Sequence, residues 1–112
     1  MNKEKFLPIG SVVLLKGGSH KLMIIGYCST HNVNDKKIYD YVGCFFPEGI
    51  LGLDQSLIFN HSDIKDIYYV GYSDNESKDF NKKLELFIKN NVDSNGLLRK
   101  TPEELIKEVK QG

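Results

Sequence analysis

The hydrophobic period of this chain changes once, close to Ser73, and that change bounds what it can fold into. Before it, apolar residues come in short runs stopped by glycine, proline or clusters of turn formers. After it, they recur at the spacing of a helix. With 112 residues the chain has room for one modest core. Both halves must share that core. The expectation is a single domain over 1–112, with a β-rich region at 7–72 and helices that pack on it.

Residues 11–16 (SVVLLK) and 21–27 (KLMIIGY) are apolar at consecutive positions, so both faces of these strands are expected to be covered. Gly17-Gly18-Ser19-His20 between them predicts a hairpin, because glycine accepts the positive φ of a tight connection. A loop of turn formers over 29–36 leads to residues 37–46 (KIYDYVGCFF), whose aromatic and β-branched content predicts a third strand. Pro47-Glu48-Gly49 stops it. Residues 56–60 (SLIFN) predict a short fourth strand and 67–72 a fifth, with Gly71 as a bulge or a point of close backbone approach.

The helical half opens with Ser73-Asp74-Asn75-Glu76, where Ser73 and Glu76 have the spacing of a capping box. Over 74–92, Phe80, Leu84, Phe87, Ile88 and Asn91 form one stripe, expected to lie on the sheet. Lys78, Asn81, Lys82, Glu85 and Lys89 form the opposite, solvated face. Residues 93–96 (DSNG) end this helix. Thr101-Pro102-Glu103-Glu104 then supplies a cap, a proline at the first helical position and a glutamate at the third. That predicts a short helix over 101–110, with Leu105, Ile106 and Val109 on one side. A helix so short is marginal alone and must dock. The expected fold class is α+β: about five antiparallel strands curled toward a barrel, followed by one or two C-terminal helices.

Fifteen basic residues balance fifteen acidic ones. Nucleic acid and anionic membranes reward clustered positive charge, so neither is expected as a partner. Weak self-repulsion makes a homo-oligomer compatible with this composition. The apolar run after the N-terminal lysines is broken by Pro8, Gly10 and Ser11, and no stretch of about 18 apolar residues exists for a membrane span. A cytoplasmic location is expected.

The reactive side chains form no recognisable constellation. Cys28 and Cys44 have neither CxxC spacing nor a zinc-type Cys/His spacing, and read as buried thiols. His20, His31 and His61 fall in turns or strand ends, with no orienting group placed beside a nucleophile. Gly17-Gly18 lacks the spacing of a phosphate-cradling loop and precedes a strand rather than a helix. No catalytic residue, metal or cofactor is assigned, and a non-enzymatic role is expected.

Residues 41–64 (YVGCFFPEGILGLDQSLIFNHSDI) fit no simple period. Phe45, Phe46, Pro47, Gly49, Ile50, Leu51 and Leu53 read as an apolar loop patch. Exposed patches of this kind mark protein interfaces; the competing reading is a plug for the open end of the barrel. An alternative function, a small ligand-binding or enzymatic barrel, would use Glu48, Asp54, His61 and Asp63 as a polar cluster.

The ordered blocks LPIGSVVLLKGG (7–18), KLMIIGY (21–27), YDYVGC (39–44), PEG (47–49), FNHSDI (59–64) and Gly71-Tyr72 resemble a family of small proteins from low-GC Gram-positive bacteria. It is a domain family of unknown function, encoded beside type VII (WXG/LXG) secretion genes. The resemblance covers residues 7–80 and brings no catalytic residues with it. It implies a cytoplasmic accessory protein, a chaperone or targeting factor for an LXG-type secreted toxin or a co-encoded small helical protein. A toxin immunity protein is a further alternative, although such proteins are often strongly charged to match their targets.

Overall fold

A computed structural model describes residues 6–52 and 55–111. Five strands come first: β1 (Val12–Leu15), β2 (Leu22–Ser29), β3 (Tyr39–Phe45), β4 (Leu57–Phe59) and β5 (Ile64–Tyr69). A 3-10 turn, His61–Asp63, separates β4 from β5, and two helices follow, α1 (Asn75–Asn91) and α2 (Pro102–Gln111). The strands form one antiparallel sheet in the order β4-β3-β2-β1-β5. The chain is α+β, as its change of period predicts.

β4 and β5 are the two edges of this sheet, yet only residues 60–63 join them. A flat five-stranded sheet is about 19 Å across from first strand to last. Five extended peptide steps from Phe59 to Ile64 reach at most about 18 Å, and a 3-10 turn shortens that. The sheet therefore curls until its edges approach. β4 and β5 are not neighbours in the hydrogen-bonded order, so the barrel-like sheet stays open.

The core lies inside the curl: Phe6, Leu7, Val13, Leu22, Ile24, Tyr41 and Phe59, with Leu84 and Ile88 of α1 packed against it. Tyr41 is fully buried, and its hydroxyl accepts a hydrogen bond from Leu7 N at 2.9 Å and pairs with His61 Nδ1 at 2.7 Å. Tyr27 donates its hydroxyl proton to the Leu7 carbonyl at 2.6 Å. The 3-10 turn is pinned to β3, since Asp40 N donates to Asn60 Oδ1 and His61 N donates to Asp40 Oδ2. A second lock joins the start of the chain to the end of the sheet. Ser11 Oγ donates to the Pro8 carbonyl at 2.7 Å and accepts from Gly71 N at 2.9 Å.

Several boundaries differ from expectation. β5 begins and ends three residues earlier, because the 3-10 turn delivers the chain into the strand directly after Asp63. Gly71 lies beyond that strand, where a Cβ would overlap the Ile9 carbonyl oxygen; it is the close-approach glycine and not a bulge. The β1–β5 register instead skips Lys65 and Tyr68. Asp74, not Ser73, caps α1, with Ser77 N donating to Asp74 Oδ1 and Asp74 N donating to Ser77 Oγ.

The inward face of α1 is also turned from the expected one. Asn81 is only 4% exposed whereas Phe80 is 51% exposed, so the helix presents Ser77, Asn81, Leu84 and Ile88 inward. The cap of α2 is the expected one: Thr101 N donates to Glu104 Oε1 and Glu104 N to Thr101 Oγ1. This helix docks through Glu103 N to the Val33 carbonyl at 3.0 Å. Cys44 is buried, Cys28 is only half-buried, and neither is in a disulfide.

Candidate functional site

Strand registry places two apolar rows across the sheet. Phe45, Leu22, Val13 and Ile67 are cross-strand partners in turn, and this row includes the core residues Leu22 and Val13. The next row, Cys44, Met23, Val12 and Tyr69, is offset by one residue on β1, β2 and β3 and by two on β5, across the bulge at Tyr68, and so faces the other way. Both faces of the sheet are thus apolar, which explains the consecutive apolar residues of β1 and β2. The core fills one face. On the other, Val12 and Cys44 are covered at the centre, while Tyr69 at the β5 edge is exposed.

Lys21 and Phe46 continue that outer face, two residues before Met23 and two after Cys44. Phe46 N donates to the Lys21 carbonyl at 2.9 Å, which fixes the two backbones together. The Lys21 ammonium lies 5.8 Å from the centre of the Phe46 ring and 5.5 Å from that of Tyr68. Phe46 is 36% exposed and Tyr68 56%. Tyr69 and Val70, next along the chain from Tyr68, are also exposed. Among the described residues no carboxylate lies within ion-pair distance of Lys21. The nearby Glu48 is engaged elsewhere: its Oε1 is 2.9 Å from His20 Nε2, a hydrogen bond that holds its carboxyl below the usual range.

Two rings around a cation contribute about 0.5–1 kcal/mol each while wet and about 2 kcal/mol when desolvated. Removing an ammonium from water costs several kcal/mol. The rings steer Lys21, but they do not compensate its burial.

The loop patch is exposed at Phe45, Phe46, Ile50 and, at 74%, Leu51. Pro47 and Gly49 shape the turn, with Gly49 at φ +77° and its N–H donating to the Phe45 carbonyl at 2.7 Å. Leu53 and Asp54 lie outside the described residues. Of the polar cluster, Glu48 is held by His20, His61 by Tyr41 and Asp63 by Asn60 N, and no hydrogen bond joins any two of the three. Lys21, Tyr68, Tyr69 and Tyr72 escaped the sequence reading. For the tyrosines the signal is the run IYYVGY at 67–72, with adjacent aromatic residues at the end of β5; Lys21 has none.

Other hollows lie away from this face. A groove of about 340 Å³ between sheet and α1 is walled by Ile9, Tyr27, Tyr72, Phe80 and Leu84, with Tyr72 78% exposed. A more polar cleft of about 420 Å³ includes Cys28, Tyr39, Asp40 and Asn60, but Asp40 and Asn60 are occupied in pinning the 3-10 turn. Among the described residues no three His, Cys, Asp or Glu side chains are grouped to hold a metal. No helix among them is long and apolar enough to cross a membrane.

A family model described as a domain of unknown function (DUF4176) matches residues 6–80. The chain belongs to that family. Comparison with curated proteins and with solved structures gave no match. The matched region of this DUF4176 domain spans the whole sheet and the first turns of α1, and leaves out α2. Most of its recognisable blocks serve the fold: Gly10, Ser11 and Gly71 lock the chain start to the sheet end, while Asp40, Tyr41, Asn60 and His61 hold the 3-10 turn. The exposed Tyr68 and Tyr69 hydroxyls make no such hydrogen bond among the described residues.

Proposed function

We propose that this DUF4176 domain is a non-enzymatic binding module, a cytoplasmic accessory factor of type VII secretion that holds an LXG-type toxin or a co-encoded small helical protein. Its role is that of a chaperone or targeting factor. One observation carries the binding part: the apolar outer face of the sheet ends in an exposed rim of Phe46, Tyr68, Tyr69 and Val70, continued along the loop by Ile50 and Leu51. Contiguous exposed apolar surface of this kind marks a place where another protein is covered or covers. The secretion context rests on the sequence resemblance alone.

The test is co-expression with an LXG toxin encoded in the same locus. Toxin recovery should fall at least about tenfold for Tyr68→Ser and for Ile50→Asp, as expected for a centrally placed interface side chain. Equal recovery by folded variants would remove this surface from consideration. Growth rescue of cells that express the isolated toxin domain would point to immunity instead of delivery.

A further inference from the structure

We infer that the outer face binds a protein segment that presents a carboxylate among apolar side chains, and that Lys21 is the residue that receives it. This rests on the proposal that the face is a binding surface. Lys21 stands between two exposed rings, with no acidic partner among the described residues and with Glu48 already committed to His20. A purely apolar partner seated on Phe46 and Tyr68 would strip water from the ammonium and return only ring contacts. Those contacts are too weak to offset the loss. A partner that brings a carboxylate to the same spot replaces the lost water with a charge-assisted hydrogen bond. The rings also hold the lysine head near one position, so less side-chain freedom remains to be lost on binding. The surface therefore selects against apolar segments without an acid and against basic ones.

Three end-capped, fluorescein-labelled peptides test this, each with Leu, Tyr and Ile on both sides of a central Asp, Asn or Lys. Fluorescence anisotropy against wild-type protein should show the Asp peptide binding at least about tenfold tighter than the Asn peptide. Lys21→Met, which keeps the apolar stem, should abolish that difference, and Lys21→Glu should move the preference to the Lys peptide. Tyr68→Ser should weaken all of them.

Equal affinity for Asp and Asn in the wild type, with both weakened by Tyr68→Ser, would overturn the role of Lys21 and leave the binding surface standing. Binding that is absent, or indifferent to Tyr68→Ser, would overturn both. A dimer in sedimentation that Tyr68→Ser abolishes, without an Asp preference, would assign the face to a second copy of the chain.

Discussion

A methyl group at Gly71 has nowhere to go: it would overlap the Ile9 carbonyl oxygen, which belongs to backbone held by Gly10 and Ser11. Gly71→Ala should cost about 3 kcal/mol, read as a lower urea midpoint. Gly26→Ala is the control, since its added carbon meets Val42 at an ordinary 3.5 Å and it should be nearly neutral or slightly stabilising. Tyr41 offers a second test at this scale. Tyr41→Phe leaves the buried Leu7 N–H without its acceptor and should cost about 1–3 kcal/mol.

The same hydroxyl gives a pH signature. Burial pushes the Tyr41 phenol up from 10.0 to about 12, so the folded state holds its proton where the unfolded chain has released it. The resulting contribution is complete below pH 10 and is lost as pH rises from 10 through about 12. The stability gap between wild type and Tyr41→Phe should therefore shrink over that window, and a gap that stays constant from pH 9 to 12 would contradict it.

Among the elements, α1 shows most clearly what a sequence does and does not reveal. Its existence, length and inner residues Leu84 and Ile88 follow from period alone. Its rotation does not, because Phe80 and Asn81 are adjacent and only the shape of the sheet beneath decides which one points in. Asn81 goes in, and its buried Oδ1 accepts no hydrogen bond from any described residue. Asn81→Leu should therefore raise stability by about 1 kcal/mol in urea unfolding. A loss of stability would mean that the amide has a partner after all.

The strands divide in the same way. Local composition and turn chemistry reveal β1, β2 and β3, which are joined by the hairpin and the loop that their sequence suggests. The edge position of β5 depends on its pairing with β1, far away in the chain, and on a 3-10 turn tied to β3, to Lys16 after β1 and to itself. The candidate surface was half legible for this reason. Its loop residues stand out as an apolar cluster, whereas Lys21, Tyr68 and Tyr69 meet only once the strands are in order.

For the whole molecule, zero net charge and an exposed aromatic rim act together. Repulsion between copies vanishes near the isoelectric point, about pH 6.8, while the apolar attraction persists. Light scattering of the isolated protein should peak near that pH. The double variant Tyr68→Ser/Tyr69→Ser should flatten the peak without lowering the melting temperature, since both side chains are exposed. A peak of undiminished height would locate the attraction elsewhere on the surface.

The pairing of Val12 with Tyr69 has a consequence for how the chain is born. At synthesis rates of about 5–20 residues per second, β5 arrives roughly 3–11 s after β1 has been made. Once β3 is also made, and until β5 arrives, the nascent sheet of β1, β2 and β3 has an open flank on β1, where the backbone of Val12 and Val13 awaits Tyr69 and Ile67. The ribosome thus presents, for seconds, a sticky strand that the finished protein hides.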